Sequence, residues 1–285
     1  PEKAIDFCLR KGGITPAELD YVVFYEKPLP KFERILMTTL STFPQSWRTF
    51  TEAMVAWFTE KLWIKSRIVE KLGLPDDRVL FVEHHLSHAA SAFFCSPFEE
   101  AAIITVDGVG EWTTTTIGGG KASWDGQGEN SLRLHKEVRF PHSLGLLYSA
   151  FTAFLGFKVN NGEYKVMGMA PYGQPRYVGK VHKLIDVRDD GSFSLNMDYF
   201  SYHYSPSRTF NGRFEELFGP PRDPSADFVT PSMKAAASAS RDELERNQYY
   251  ADVAASIQWV TEDVLLKMAR HAYEETGLKK LCMAG

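Results

Sequence analysis

The chain has 285 residues, 44% apolar and 24% charged, with a net charge of −4. This is enough chain for one large or two medium domains with real cores. The modest charge leaves no electrostatic footprint for nucleic acid. Three widely spaced cysteines, Cys8, Cys95 and Cys282, form no C-x-x-C pair; an odd count argues for a reducing compartment over a disulfide framework. No apolar run approaches the roughly 18 residues of a membrane span, and Pro1-Glu2-Lys3 opens no secretory signal. The expected location is cytoplasmic, with neither membrane nor nucleic acid as partner.

In chain order, residues 4–10 predict a short amphipathic helix stopped by Gly12-Gly13, and Thr15-Pro16-Ala17-Glu18 reads as a capping box. YVVFY at 21–25 is a strand. A chain entering an α/β fold on a helix, with no strand before it, is expected to lack that fold's first strands. Two helical segments follow at 31–43 and 47–72, read as an insertion or cap on the sheet, with Phe50, Met54, Trp57, Phe58 and Ile64 of the second expected to be mostly core. Residues 79–82 form a strand leading into His84-His85-Leu86-Ser87-His88 and an Ala/Phe-rich helical segment, 89–94. Strands at 101–106 and 113–117 flank Asp107-Gly108-Val109-Gly110-Glu111. Beyond these come a strand (132–138) and a helix (143–156). Weak helical periodicity marks the glycine-rich 160–173. A helix at 181–185, a turn at 189–191 and a strand at 193–195 follow. Residues 199–204 are aromatic-dense, and 211–218 form a capped helix. Residues 219–240 read as a mobile surface loop, 249–276 as the strongest helix and 281–284 as a strand. No internal repeat recurs at a fixed period.

Strand ends in α/β proteins are where ligands bind. His84 and His88 are four residues apart, so a helix puts both on one face, at the spacing a metal needs for two imidazoles. Asp107, at a neighbouring strand end, can add a carboxylate. Two histidines and one carboxylate suit Fe(II), Zn or Mn. The simpler reading, histidines hydrogen-bonded within the fold, stands beside it. His85 points elsewhere on the helix. No H-E-x-x-H, Walker loop or G-x-S-x-G elbow is present, which disfavours metalloprotease, P-loop and covalent hydrolase chemistry. The Asp107–Gly110 turn could aim N–H groups at an anion, as glycine-rich nests do. Lys165, alone among small and apolar residues, could meet a phosphate as a point charge.

The blocks VEHHLSHAASAFFCSPFEEAAIITVDGVGEWTTTTIG, GEYKVMGMAPYG and DVAASIQ…LKKLCMAG together resemble the NodU/CmcH-type O-carbamoyltransferases. The resemblance spans most of the chain. It implies an α/β, actin/sugar-kinase-like (ribonuclease-H-like) duplicated fold with helical insertions, truncated at both ends. Residues 1–100 would be the remainder of the first half, with the insertion at about 31–72; residues 101–285 would be the second half, stopping before an adenosine-binding motif. The implied reaction uses ATP and carbamoyl phosphate to make a carbamoyl-adenylate in a separate C-terminal domain. The carbamoyl group then passes to a hydroxyl of a sugar-like or antibiotic-like acceptor, assisted by a divalent metal. Carried over residue by residue, His84, His88 and Asp107 would hold the metal, and Gly108, Gly110, Glu111 and Lys165 would bind the nucleotide. Glu163, Lys165 and Asp198 would serve phosphate or acceptor. Without its adenylate-forming domain the fragment is expected to be inactive alone. The alternatives are a tRNA threonylcarbamoyltransferase-like protein, disfavoured by the DGVGE and GEYKVMG blocks, and a nucleotide-binding member without catalysis.

Overall fold

A computed structural model describes residues 2–124 and 126–285. The chain opens with α1 (Glu2–Gly12) and β1 (Val22–Phe24), then α2 (Pro28–Ser41), α3 (Trp47–Thr59) and α4 (Ile64–Leu72) lead to β2 (Val79–Phe81). β1 and β2 pair in parallel, Val22 opposite Val79. Parallel neighbours require a crossover, and the three helices provide it, so the expected insertion is the connection itself. The single helix expected over 47–72 breaks at Glu60, whose backbone (φ −133°, ψ −55°) leaves the helical region. A separate short helix then starts at Ile64 and ends on Gly73 in the left-handed conformation that glycine favours.

The helix expected from Ala89 begins five residues earlier, at His84: α5 is His84–Phe93. A four-stranded sheet follows, built from β3 (Glu100–Val106), β4 (Thr113–Lys121), β5 (Ser131–Arg139) and the late β8 (Leu281–Ala284). The order is β5-β4-β3-β8, antiparallel except where β8 joins β3 in parallel. β3 is covered on both faces. Ala101 and Ile103 meet Ala89 and Phe93 of α5, while Ala102 and Ile104 turn into the larger core. That explains an unbroken apolar run where a one-faced strand would alternate. The expected first-half helix α5 therefore packs on the sheet of the segment that follows it.

The larger core is capped by α6 (Leu144–Phe154), α7 (Glu163–Met169), α8 (Val178–Val181), α9 (Gly212–Phe218) and α10 (Arg241–Thr276). α10 is 36 residues, about 54 Å at 1.5 Å per residue. It buries Tyr250, Val253, Ile257, Val260, Val264 and Met268, a stripe of three- and four-residue steps. It starts eight residues before its expected position because the Ser240 side chain accepts the Glu243 N–H as an N-cap. α7 forms where periodicity was weak, since packing of Val166 and Met169 overrides the glycines around them. The helix expected over 181–185 stops at Val181, and Ile185 instead opens β6 (Ile185–Val187), which pairs with β7 (Phe193–Leu195).

The segment expected as a mobile loop, 219–240, is irregular but anchored. Arg222 and Thr230 are buried, the Arg222 N–H donates to Phe154 O at 2.8 Å, and Tyr250 Oη donates to Pro220 O at 3.1 Å. Cys8, Cys95 and Cys282 are free thiols. Among the described residues no helix is long and apolar enough to cross a membrane.

Candidate metal centre

Asp107 follows the last residue of β3, and His84 is the first residue of α5 after β2. The two strand ends thus meet. His84 Nε2 lies 2.8 Å from Asp107 Oδ2, His88 Nε2 lies 3.0 Å from His84 Nε2, and His88 Nε2 is 3.7 Å from the same carboxylate oxygen. The three side chains are part-buried, at 16%, 29% and 28% exposure for His84, His88 and Asp107, so a small ion can reach them.

The donor set fits a divalent cation. Donor atoms bonded at about 2.0–2.1 Å to one ion stand about 2.9–3.4 Å apart, and the observed 2.8, 3.0 and 3.7 Å separations bracket that range. Two imidazole nitrogens and a carboxylate oxygen converge where a single N–H can satisfy only one contact at a time. His84 Nδ1 is buried without a partner among the described residues, whereas ligating histidines usually donate that second N–H to an acceptor.

Electrostatics follow from the contacts. The hydrogen bond to His84, with Gly108 N–H donating to Oδ1 at 2.7 Å, pulls the Asp107 carboxyl down to about 2 despite burial. The same carboxylate raises His84 above its ordinary value, against desolvation. Burial lowers His88, and the neighbouring His84 lowers it further. His85 faces the other way and is 2% exposed. Its Nε2 lies 2.8 Å from Thr113 O and so must carry the proton, which leaves Nδ1 to accept from Thr105 Oγ1 at 2.6 Å. Thr105 in turn accepts from Thr116 Oγ1 across the β3–β4 pair. Burial, the main cause, takes His85 down to about 4: it is a neutral pin between α5 and the sheet.

The Asp107 turn is fastened from behind. Ser143, the N-cap of α6, donates to Gly108 O at 2.6 Å while accepting the Leu146 N–H. Gly145, in the first turn of α6, lies so close that a Cβ there would stand 2.6 Å from Asp107 O and 2.8 Å from Gly108 N. Both contacts are backbone, so Gly145→Ala is expected to displace α6 or the turn and cost about 1–3 kcal/mol in denaturant unfolding. Gly168→Ala, on a helix with nothing within 4 Å of its Cβ, should gain about 0.5–1 kcal/mol. Equal stability of the two variants would contradict this account of the close approach.

Of the remaining expected site residues, Gly108, Gly110 and Glu111 back the cluster from the Asp107 turn, whereas Glu163, Lys165 and Asp198 make their contacts elsewhere. Gly110 abuts α5, its virtual Cβ 3.0 Å from His84 Cβ, and Gly108 faces Leu146. Glu111 is 7% exposed and accepts backbone N–H groups from Lys27 and His84. Glu163 accepts from Ser149 Oγ at 3.0 Å and Asn160 N at 2.9 Å. It also edges an open cleft of about 400 Å³ with Val106, Gly145, Tyr148 and Thr261. Lys165 is exposed, its ammonium 5.7 Å from the Phe157 ring centroid. Asp198 is on the surface, ion-paired with Arg213 at 2.6 Å. Sequence reasoning did not foresee the His85–Thr105–Thr116 chain; the only signal for it was a histidine pair beside a threonine-rich strand.

Comparison with known proteins gives the family. Residues 1–285 match the family described as carbamoyltransferase N-terminus, and the chain belongs to that family. An uncharacterised protein of Synechocystis sp. is 48% identical across the whole chain, which spans 44% of that relative. The nodulation protein NolNO of Sinorhizobium fredii is 27% identical across the whole chain and 36% of its own length. The nodulation protein NolO of Bradyrhizobium diazoefficiens is 28% identical over 72% of the chain and 31% of its own length. The chain therefore spans less than half the length of these relatives.

Proposed function

We propose that the chain is part of an enzyme that moves a carbamoyl group from carbamoyl phosphate, through an ATP-derived carbamoyl-adenylate, to a hydroxyl of a small sugar-like or antibiotic-like acceptor. The observation that carries this reading is the convergence of His84 Nε2, His88 Nε2 and Asp107 Oδ2 in a chain matched along its whole length to a carbamoyltransferase family. The finer architecture we assign is the duplicated actin/sugar-kinase-like fold, its halves meeting near residue 100.

His84, His88 and Asp107 would hold an Fe(II), Zn or Mn ion. When bound, such an ion supplies Lewis acidity toward a carbonyl or phosphate oxygen. The chain's own groups do the rest. Before an ion binds, Asp107, held ionised well into acid, keeps His84 oriented through its Nε2. His85 stays neutral and fixes the first turn of α5 to β3 and β4. Ser143 and Gly145 hold the Asp107 turn against α6. Glu163 edges the adjoining cleft, where an acceptor or phosphate would lie, and the exposed Lys165 would meet phosphate as it approaches. Asp198 would reach an acceptor only by giving up Arg213.

The test is transfer of label from radiolabelled carbamoyl phosphate, with ATP, to a panel of sugar and glycosylated-antibiotic acceptors by the full-length protein. We expect ATP-dependent labelling of at least one acceptor class, reduced by more than about 100-fold in His84→Ala. Undiminished transfer in that variant, or none to any hydroxylated acceptor, would overturn the reading.

A further inference from the structure

Glu111 lies one position beyond Gly110 in the turn that carries Asp107, and both of its carboxylate oxygens are used. Oε1 accepts the Lys27 N–H at 2.7 Å, and His84 N–H is 3.2 Å from each oxygen. Lys27 is the N-cap of α2 and His84 the first residue of α5. The N–H groups at a helix start have no partner within the helix, and a carboxylate there also meets the positive end of the helix dipole. One buried side chain therefore closes two helix starts that are 57 residues apart in sequence (84 − 27).

Surrounding contacts make this an anchor between elements. Arg34, in the same helix α2, is 8% exposed, stacks 4.9 Å from the Phe140 ring centroid and has Glu26 and Glu111 as its neighbouring charges. Lys27 Nζ pairs with Glu83 Oε1 at 2.9 Å, beside His84. The Tyr25 ring lies 5.8 Å from the His84 ring. Gly110 leaves room for His84 and His85 to pack against the turn. Asp107 and Glu111 thus act on His84 from one turn, the first through its ring and the second through its backbone.

We propose that Glu111 is a positioning residue: by bridging the starts of α2 and α5 it sets His84 against Asp107 and couples the helical crossover to the cation site. This rests on the reading of His84, His88 and Asp107 as a cation site. Glu111 then works one layer behind the ion and the nucleotide, not as a contact to either.

Two mild variants separate bridge from charge. Glu111→Gln keeps the reach and one acceptor oxygen without the charge; Glu111→Asp keeps the charge but is one methylene too short to span both N–H groups. Co²⁺ affinity is read from the absorption spectrum, and backbone amide exchange is read around Lys27 and around His84. For Glu111→Asp we expect Co²⁺ affinity to fall about 10–100-fold, the range seen when an outer-shell partner is lost. Exchange in both segments should speed up together by about 10-fold, with the rest of the protein unchanged. Glu111→Gln should stay within about 3-fold of wild type on both measures. The proposal is overturned if Glu111→Asp leaves Co²⁺ affinity at the wild-type value, if only one segment responds, or if Glu111→Gln is damaged as severely as Glu111→Asp. A wild-type protein that takes up no Co²⁺ would instead sink the cation reading, and the exchange comparison would still decide whether Glu111 bridges the two helices.

Discussion

Replacing His84 with alanine is expected to weaken uptake of a divalent cation by more than about 100-fold, because even an outer-shell partner is worth about 10–100-fold. His84 Nε2 is the central atom of the cluster, within 3.0 Å of both His88 Nε2 and Asp107 Oδ2. Its removal leaves one imidazole and one carboxylate 3.7 Å apart, too few donors for tight binding. The effect carries a pH signature. Asp107 raises the proton affinity of His84, so protons compete with the cation at this nitrogen. Uptake should therefore decline as pH falls through the raised His84 value, while Asp107, at about 2, stays ionised throughout. Equilibrium titration with Zn²⁺ or Co²⁺ across pH 5 to 8 would show both trends. Wild-type affinity in His84→Ala would show that the cluster is only a hydrogen-bonded set.

The second large effect is on stability. His85 is neutral in the folded protein down to about pH 4, whereas an unfolded histidine protonates near its ordinary value of 6.5. A group with a depressed folded value gives up stability as pH falls, because the unfolded state takes the proton first. The gap between 6.5 and about 4 corresponds to roughly 3 kcal/mol, lost between those two pH values. Asp107 adds little in this window, since most of its loss comes below 3.8. Raised His84 contributes oppositely: its stabilisation is complete below 6.5 and fades as pH rises through its folded value. Denaturant unfolding of the metal-free protein at pH 7 and pH 4 should show the loss, and it should shrink markedly in His85→Gln, which cannot titrate. An unchanged pH dependence in that variant would contradict the buried-pin role.

How much of this was legible in the sequence depended on how local the cause was. The apolar runs of β3 and β8, and the stripe of α10, are written in neighbouring residues and were readable. So was the His84–His88 spacing, because a four-residue step on a helix has only one geometric meaning. The break at Glu60 and the short helix α7 depend on tertiary packing, which local propensity does not contain. Glu111 was readable only as part of a motif. Its work is done on Lys27, 84 positions away, and no periodicity reports such a contact. Glu163 and Lys165 stand two apart on α7, a spacing that puts them on different faces. Their shared motif therefore does not place both side chains on one face of the helix.

The central claim is that His84, His88 and Asp107 together hold a divalent cation. The most direct measurement is X-ray absorption spectroscopy of the metal-loaded protein beside His84→Ala and Asp107→Ala. Back-scattering from two imidazoles is expected in the wild-type protein. One imidazole should be lost in His84→Ala, and both should be retained with weaker binding in Asp107→Ala. A bound ion with no imidazole signal, or a spectrum unchanged by His84→Ala, would contradict it.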